Sequence, residues 1–241
     1  MDYIQYIIIA LAISLGFFSH ALAGFSAALI ALPILVQVLP LKESVGLLSF
    51  LFFLFSLFFV ILNYKKINKQ LLIELALGTI IGLFIGNYLL GHFGDQVILK
   101  KILGVFILLY VLKTIFKQTS IAFFNKISFL FGLFGGIFSG LFTTGGPFYV
   151  TYINNRYKDA KLIRANIIAT LGLGDIIRLP IHLHENIINT GTFILTLKIL
   201  PCFLLAIYLG NKLHHKINDE IYKKVLLGLL MLAAINLLIY N

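Results

Sequence analysis

A chain of 241 residues that is 60% hydrophobic and 12% charged, with a mean hydropathy of +1.02, lies well beyond the ~45–50% apolar content of soluble domains. This composition excludes a water-soluble globular protein. The formal net charge of +10 sits mostly on Lys and Arg in short loops between apolar runs, so it reads as topogenic charge rather than a nucleic-acid surface. A single Cys202 excludes an intrachain disulfide and any Cys-based metal cage.

Apolar segments run over residues 3–38, 45–62, 71–90, 99–116, 127–152, 165–183, 192–209 and 222–240. Six of these have single-crossing length. The opening run MDYIQYIIIALAISLGFFS lacks a basic leader and is expected to stay as structure rather than be cleaved. As one helix the first segment would be ~54 Å long against a hydrocarbon core of ~30 Å. It must fold back, break or cross twice.

The chain also repeats itself. Residues 86–108 slide forward by 124 positions onto 210–232 without gaps, pairing Gly86 with Gly210, Asn87 with Asn211, Leu89 with Leu213, Asp95 with Asp219, Lys100 with Lys224, Leu103 with Leu227, Gly104 with Gly228 and Leu108 with Leu232. A weaker match at an offset of 119 pairs Gly16 with Gly135, Leu22 with Leu141 and Lys42 with Lys161. The expected fold is an all-α polytopic membrane protein made of two repeats, 1–118 and 119–241, together forming one transmembrane domain. Each repeat is an interrupted helical hairpin, re-entrant or double-crossing, followed by three transmembrane helices.

An odd number of crossings per half gives the halves opposite orientation. Under that inverted topology one side receives Lys65, Lys66, Lys69, Lys113, Lys117, Lys126, Arg156, Lys158, Lys161, Arg164, Lys212, Lys216, Lys223 and Lys224, and the other only Lys42, Lys100 and Lys101. This fourteen-to-three split favours the fold-back and places both termini outside.

The interruptions are ALAGFSAALIALP (residues 21–33) and GLFTTGGPFYVTY (140–152). Non-helical backbone at membrane depth survives only when shielded by protein or lining a watered cavity. Gly24 with Ser26, Ala27 and Ala28, and Thr143, Thr144, Gly145 and Gly146 with Pro147, let the chain turn and start a new helix. Such a helix presents free N–H groups and the positive end of its dipole, which makes an anion site. Two of them would converge near the midplane, with the hydroxyls of Ser19, Ser139, Thr143 and Thr144 as neutral donors. The alternative is that the small residues only permit close packing, as in GxxxG contacts.

These stretches resemble the sulfite exporter TauE/SafE family of bacterial and archaeal membrane proteins. AGFSAALIALP is similar to its first-half pattern, and GLFTTGGPFYVTYI followed by a basic stretch and LIRAN to its second. The likeness covers the whole chain. Ser26, Ala27 and Ala28 stand where the family is usually glycine-rich, and Thr143 where Gly is common. The resemblance implies movement of small sulfur-containing or organic anions such as sulfite, sulfonates or sulfoacetate. The substrate-binding candidates are Gly24, Phe25, Ser26, Ala27, Ser139, Thr143, Thr144, Gly145, Gly146 and Pro147.

Asp175 and Arg178 share a helical face in LGLGDIIRLP, within an apolar span where a lone charge is costly. They are expected to pair, either as a neutralised structural pair or as a coupling site with Asp175 carrying a coupling proton or cation and Arg178 the substrate charge. Gly172, Gly174 and Pro180 make this helix a candidate for bending. Arg164, in the family's RA pattern, either attracts anions or is topogenic. Asn87 and Asn211 are repeat-equivalent candidates for gating or interhelical hydrogen bonds, and His20, one turn before the first break, either titrates or is packed. His182, His184 and Glu185 read as an outer loop rather than a metal site.

The sequence therefore points to a secondary transporter of small anions in a bacterial or archaeal cell membrane, with a passive anion channel of the same architecture as the alternative. No catalytic residue, metal site, cofactor or nucleic-acid partner is expected. Coupling to H+ or Na+ and assembly as a homodimer are left open.

Overall fold

The computed structural model describes residues 2–24, 27–93, 97–116, 127–213 and 219–239. Phe25, Ser26, Asp95, Lys117, Lys126 and Lys216 lie outside them. The described residues form α1 (Tyr3–Ala23), α2 (Ala27–Leu35), α3 (Leu41–Asn63), α4 (Lys69–Phe93), α5 (Val97–Ile115), α6 (Ser128–Phe142), α7 (Gly146–Asn154), α8 (Ala160–His184), α9 (Thr190–Leu213) and α10 (Asp219–Ile239), with a 3-10 turn at Tyr64–Lys66.

Four stretches of the described residues are long and apolar enough to cross a membrane, at Tyr3–Leu22, Leu41–Lys66, Lys69–Phe93 and Thr190–Leu213. Two further long helices carry more charge: α5 has Lys100, Lys101 and Lys113, and α8 has Lys161, Arg164, Asp175 and Arg178. The expected interruptions are both present. The first apolar run breaks after α1, and the run at 127–152 breaks between α6 and α7. The second helix at each break has 9 residues, about 14 Å of rise, too short to span.

Both breaks use the same local device. At Gly24 (φ 87°) the backbone turns left-handed and its N–H donates to the His20 carbonyl at 2.7 Å. At Thr143 (φ 57°) it does so again, with the N–H donating to the Ser139 carbonyl at 2.9 Å. Each is the five-to-one closure of a helix C-terminus that glycine usually supplies, joined at the second break by a bond from the Thr144 N–H to the Phe138 carbonyl at 3.2 Å. The two positions differ by 119, the offset of the weaker sequence match.

The chain folds into two compact units, one of Met1–Ser44, Phe93–Thr119 and Leu197–Asn241, the other of Val45–His92 and Ser120–Thr196. Each draws on both halves of the sequence. In the first, α1 packs on α2, where a Cβ on Gly16 would fall 2.8 Å from the Ala27 carbonyl oxygen and 2.9 Å from the Ala31 methyl. Helix α9 lies on α1: Phe203 meets Phe17 edge-on at 4.7 Å, and a Cβ on Gly210 would lie 2.7 Å from both Ala21 Cβ and the Phe18 carbonyl oxygen. Tyr6 Oη donates to the Lys198 carbonyl at 2.8 Å, and α5 packs on α10.

In the second unit, α4 and α6 meet along facing glycines. Gly78, Gly82 and Gly86 lie on Gly132, Gly136 and Gly140, so close that a Cβ on Gly82 would fall 2.8 Å from the Ile137 nitrogen and one on Gly140 2.7 Å from the Leu83 carbonyl oxygen. Such approach needs small residues every fourth position, since lipid gives helices no hydrophobic drive to associate. Gly86 faces the Ile137 carbonyl and Gly140; subtracting 119 from those partners gives Phe18 and Ala21, which Gly210 faces in the other unit. Helix α8 begins on Asp159, whose carboxylate accepts from the Lys161 N–H at 2.7 Å. It runs unbroken through Gly172, Gly174 and Pro180 to His184. Fully buried Asn166 fastens its first turns, accepting from the Asn68 N–H at 2.7 Å and donating to the carbonyls of Lys66 at 3.3 Å and Leu162 at 2.8 Å.

Candidate anion site

The second break and the middle of α8 come together inside the second unit. After Phe142, Thr143 takes the left-handed conformation and its Oγ1 donates to the Phe142 carbonyl at 2.6 Å. Thr144 donates to the Phe138 carbonyl through both its N–H at 3.2 Å and its Oγ1 at 3.4 Å. Gly145 caps α7, and Pro147 occupies its first turn, where a missing N–H costs nothing. Thr143, Thr144, Gly145, Gly146 and Pro147 are all buried.

Arg178 reaches this break from α8. Its Nη1 donates to the Ser139 carbonyl at 2.7 Å, one turn before Thr143, and its Nη2 donates to Asp175 Oδ1. The other Asp175 oxygen accepts from Ser56 Oγ on α3 at 2.6 Å. Arg178 is 2% exposed and Asp175 4%. The expected pairing is thus present, in a setting where removing one partner would strand the other's charge. Ser56 and Asp175 are separated by 119 residues, the offset of the weaker sequence match.

One further turn along α8, His182 Nε2 lies 2.8 Å from Asn87 Oδ1 on α4. An amide oxygen only accepts, so Nε2 carries the proton. Among the described residues, Arg178 Nε, Asn87 Nδ2 and His182 Nδ1 are buried polar atoms with no hydrogen-bond partner. Three such atoms on neighbouring side chains are uncommon in a folded interior and leave hydrogen-bonding capacity unused there. Tyr149 on α7 adds its hydroxyl, donated to Thr79 Oγ1 at 3.2 Å.

The reading of His182 as part of an outer loop is corrected: it lies within α8 and is completely buried, because the helix continues past Pro180. His184 and Glu185, by contrast, are exposed. Asn87 is buried and bonded across helices, whereas its counterpart Asn211 is exposed. Arg164 is half-buried, with its guanidinium over the Phe59 ring at 5.0 Å. The first break falls in the other unit, with Gly24 and Ala27 buried beside it and Phe25 and Ser26 outside the described residues. His20 there is buried against Phe17, with the rings 6.1 Å apart, and Ser19 lends its carbonyl to Tyr222 Oη at 3.2 Å.

Ser56, Thr79, Tyr149, Asn166 and His182 were not legible as site residues. A lone hydroxyl in LFFLFSLFFV carries no signal of its own; adding the repeat offset of 119 to Ser56, which lands on Asp175, would have found it.

Helices long and apolar enough to cross a membrane, with a buried guanidinium at a helix break, fit a membrane transporter of small anions. The chain belongs to the sulfite exporter TauE/SafE family, whose profile matches residues 8–237. This is a family of transporters, not enzymes. No curated protein and no solved structure gives a significant match.

Proposed function

We propose that the protein is a secondary carrier of small sulfur-containing or organic anions, such as sulfite and sulfonates, and that the anion rests against the start of α7. The observation that carries this reading is Arg178, a buried cation whose Nη1 is 2.7 Å from the Ser139 carbonyl beside the break and whose Nε is unpartnered. The main-chain N–H groups of Gly145 and Gly146 open α7 and so have no acceptor within it. With the positive end of the helix dipole they form a cradle for a small oxyanion, which the Thr143 and Thr144 hydroxyls join by turning from the Phe142 and Phe138 carbonyls they now serve. Close packing contributes independently at Gly145, where a Cβ would strike the Gly135 carbonyl and Ser139 Oγ.

The two halves are read as inverted repeats, with the termini outside a bacterial or archaeal cell membrane. Support comes from the basic-residue split, from the recurrence of one helix exit at Gly24 and Thr143, and from the matching contacts of Gly86 and Gly210. The Ser56–Asp175 bond is what two repeats related about a common axis produce where they touch.

Purified protein in liposomes, loaded with unlabelled sulfite and challenged with labelled sulfite, sulfate, methanesulfonate and acetate, tests the reading. Saturable uptake stimulated by internal anion is expected. Non-saturating flux with measurable unitary currents would make the protein a channel, and indifference to every anion in the panel would defeat the assignment.

A further inference from the structure

Resting on that reading, we propose that Asp175 is the coupling site: an anion arriving at the break takes the Arg178 guanidinium from Asp175, and Asp175 then takes up a proton, so that anion and proton bind together. The geometry gives one guanidinium two competing acceptors. Its Nη2 is committed to Asp175 and its Nη1 to the Ser139 carbonyl at the break, while Nε faces no acceptor. A planar guanidinium binds an oxyanion best through two parallel N–H groups. Either parallel pair, Nε with Nη2 or Nη1 with Nη2, includes the nitrogen now committed to Asp175, so an oxyanion held that way competes with Asp175 for it.

Once abandoned, Asp175 keeps only Ser56 Oγ, at 2.6 Å, in a position 4% exposed. An ionised carboxylate so placed is relieved by protonation. The proton comes from bulk water, and no other bond is made or broken. Ser56 suits both states, because a hydroxyl donates to the carboxylate and accepts from the neutral acid. The exchange also balances charge: the Asp175–Arg178 pair is neutral before the event, and the anion–Arg178 pair beside a neutral Asp175 is neutral after it.

The groups around Asp175 leave few other candidates for the proton. Helix α8 supplies Arg178 and His182, α7 supplies Tyr149, and α3 supplies Ser56. The polar groups from α4 and α6, namely Thr79, Asn87 and the Ser139 carbonyl, do not titrate near neutral pH. Glu74 on α4 is held elsewhere, by Tyr152 Oη at 2.8 Å and Arg156 at 2.6 Å. His182 is the competitor that the experiment must separate.

The test is calorimetric titration of the purified full-length protein with methanesulfonate, whose own proton is gone at any usable pH, in two buffers of different ionisation heat. Uptake of close to one proton per anion near neutral pH is expected, with affinity falling about tenfold per pH unit above it. Asp175→Asn should bind methanesulfonate without proton uptake and without that pH dependence, and His182→Gln should keep both. Ser56→Ala should keep the proton count and shift the pH profile. Binding to the wild type without proton uptake overturns the proposal and needs no variant, as does full uptake in Asp175→Asn or its loss in His182→Gln alone. Failure of methanesulfonate, sulfite, sulfate and acetate all to bind overturns the anion site itself, a different result from binding without a proton.

Discussion

Replacing Gly82 by Ala should be among the most damaging single changes in the chain. A Cβ at this position would lie 2.8 Å from the Ile137 nitrogen, 0.6 Å inside the 3.4 Å at which ordinary contact begins, and closer still to the Leu133 carbonyl oxygen. Both obstacles are backbone of α6, so no rotamer can clear them and the two helices must separate. Separation also opens the contacts at Gly78 and Gly86 on either side, and it draws Ser139, on the same helix as Ile137, away from Arg178. Overpacking alone costs about 1–3 kcal/mol, and the lost neighbouring contacts put the total at or above the upper end. Two glycines serve as controls: a Cβ on Gly174 would meet Leu83 Cδ1 at an ordinary 3.5 Å, and one on Gly228 would meet nothing within 4 Å. Gly228→Ala should gain up to ~1 kcal/mol from helix propensity. Thermal unfolding of detergent-purified variants, followed by size-exclusion of the soluble fraction, ranks the three. Wild-type stability in Gly82→Ala, or equal loss in Gly228→Ala, would refute the close α4–α6 packing.

Other consequences are as direct. Single cysteines at Lys66 and Lys158, in a Cys202→Ser background, should resist an impermeant thiol reagent in intact cells; labelling of both from outside would sink the inverted topology. Thr143→Gly removes a left-handed β-branched residue worth about 1–2 kcal/mol of strain, offset by the freer unfolded chain and the lost hydroxyl bond to Phe142. Its melting temperature should therefore stay near wild type, while Gly24→Thr should lose about 1–2 kcal/mol; a larger loss in Thr143→Gly would make the hydroxyl, not the turn, decisive. Thr144→Val keeps volume and deletes one donor, so methanesulfonate affinity should fall by about 1–3 kcal/mol in calorimetry if that hydroxyl turns to the anion, and unchanged affinity would exclude it from the site. Asn166→Ala removes a fully buried amide that accepts from the Asn68 N–H and donates to the Lys66 and Leu162 carbonyls, and should cost about 0.5–1.5 kcal/mol per lost bond in thermal unfolding; a silent variant would show that water replaces the amide.

Much of the architecture was legible because hydrocarbon leaves few choices. A 36-residue apolar run cannot cross once, so a break was required, and Gly24 and the Thr143–Pro147 stretch were the places able to make it. The Asp175–Arg178 pair followed from the cost of lone charges in a span. Less visible were features that depend on which helices become neighbours. Asn87 and Asn211 are identical in the repeat, yet Asn87 is buried against His182 while Asn211 is exposed, and nothing along the chain says which is which. Grouped with His184 and Glu185, His182 read as outer loop; in an apolar setting neighbouring groups can make up for the N–H missing at Pro180, and α8 continues to His184. Within LIRAN the eye falls on the charge of Arg164, but Asn166 too bonds across segments, both accepting and donating as a guanidinium cannot.

The sequence distances inside the first unit bear on how the protein is made. Tyr6 bonds to Lys198, 192 residues later, and Ser19 to Tyr222, 203 residues later. At ribosomal rates of 5–20 residues per second, α1 waits roughly 10 to 40 s for the helix that covers it. During that interval its small-residue flank at Ala21, which will receive Gly210, faces lipid or whatever the insertion machinery offers. A nascent chain stopped after α5 holds a complete first half and still lacks α9 and α10, so quality-control proteases would meet an unclosed unit. The same dependence lets the chain be cut between its halves and supplied as two polypeptides, because each fragment carries what the other is waiting for.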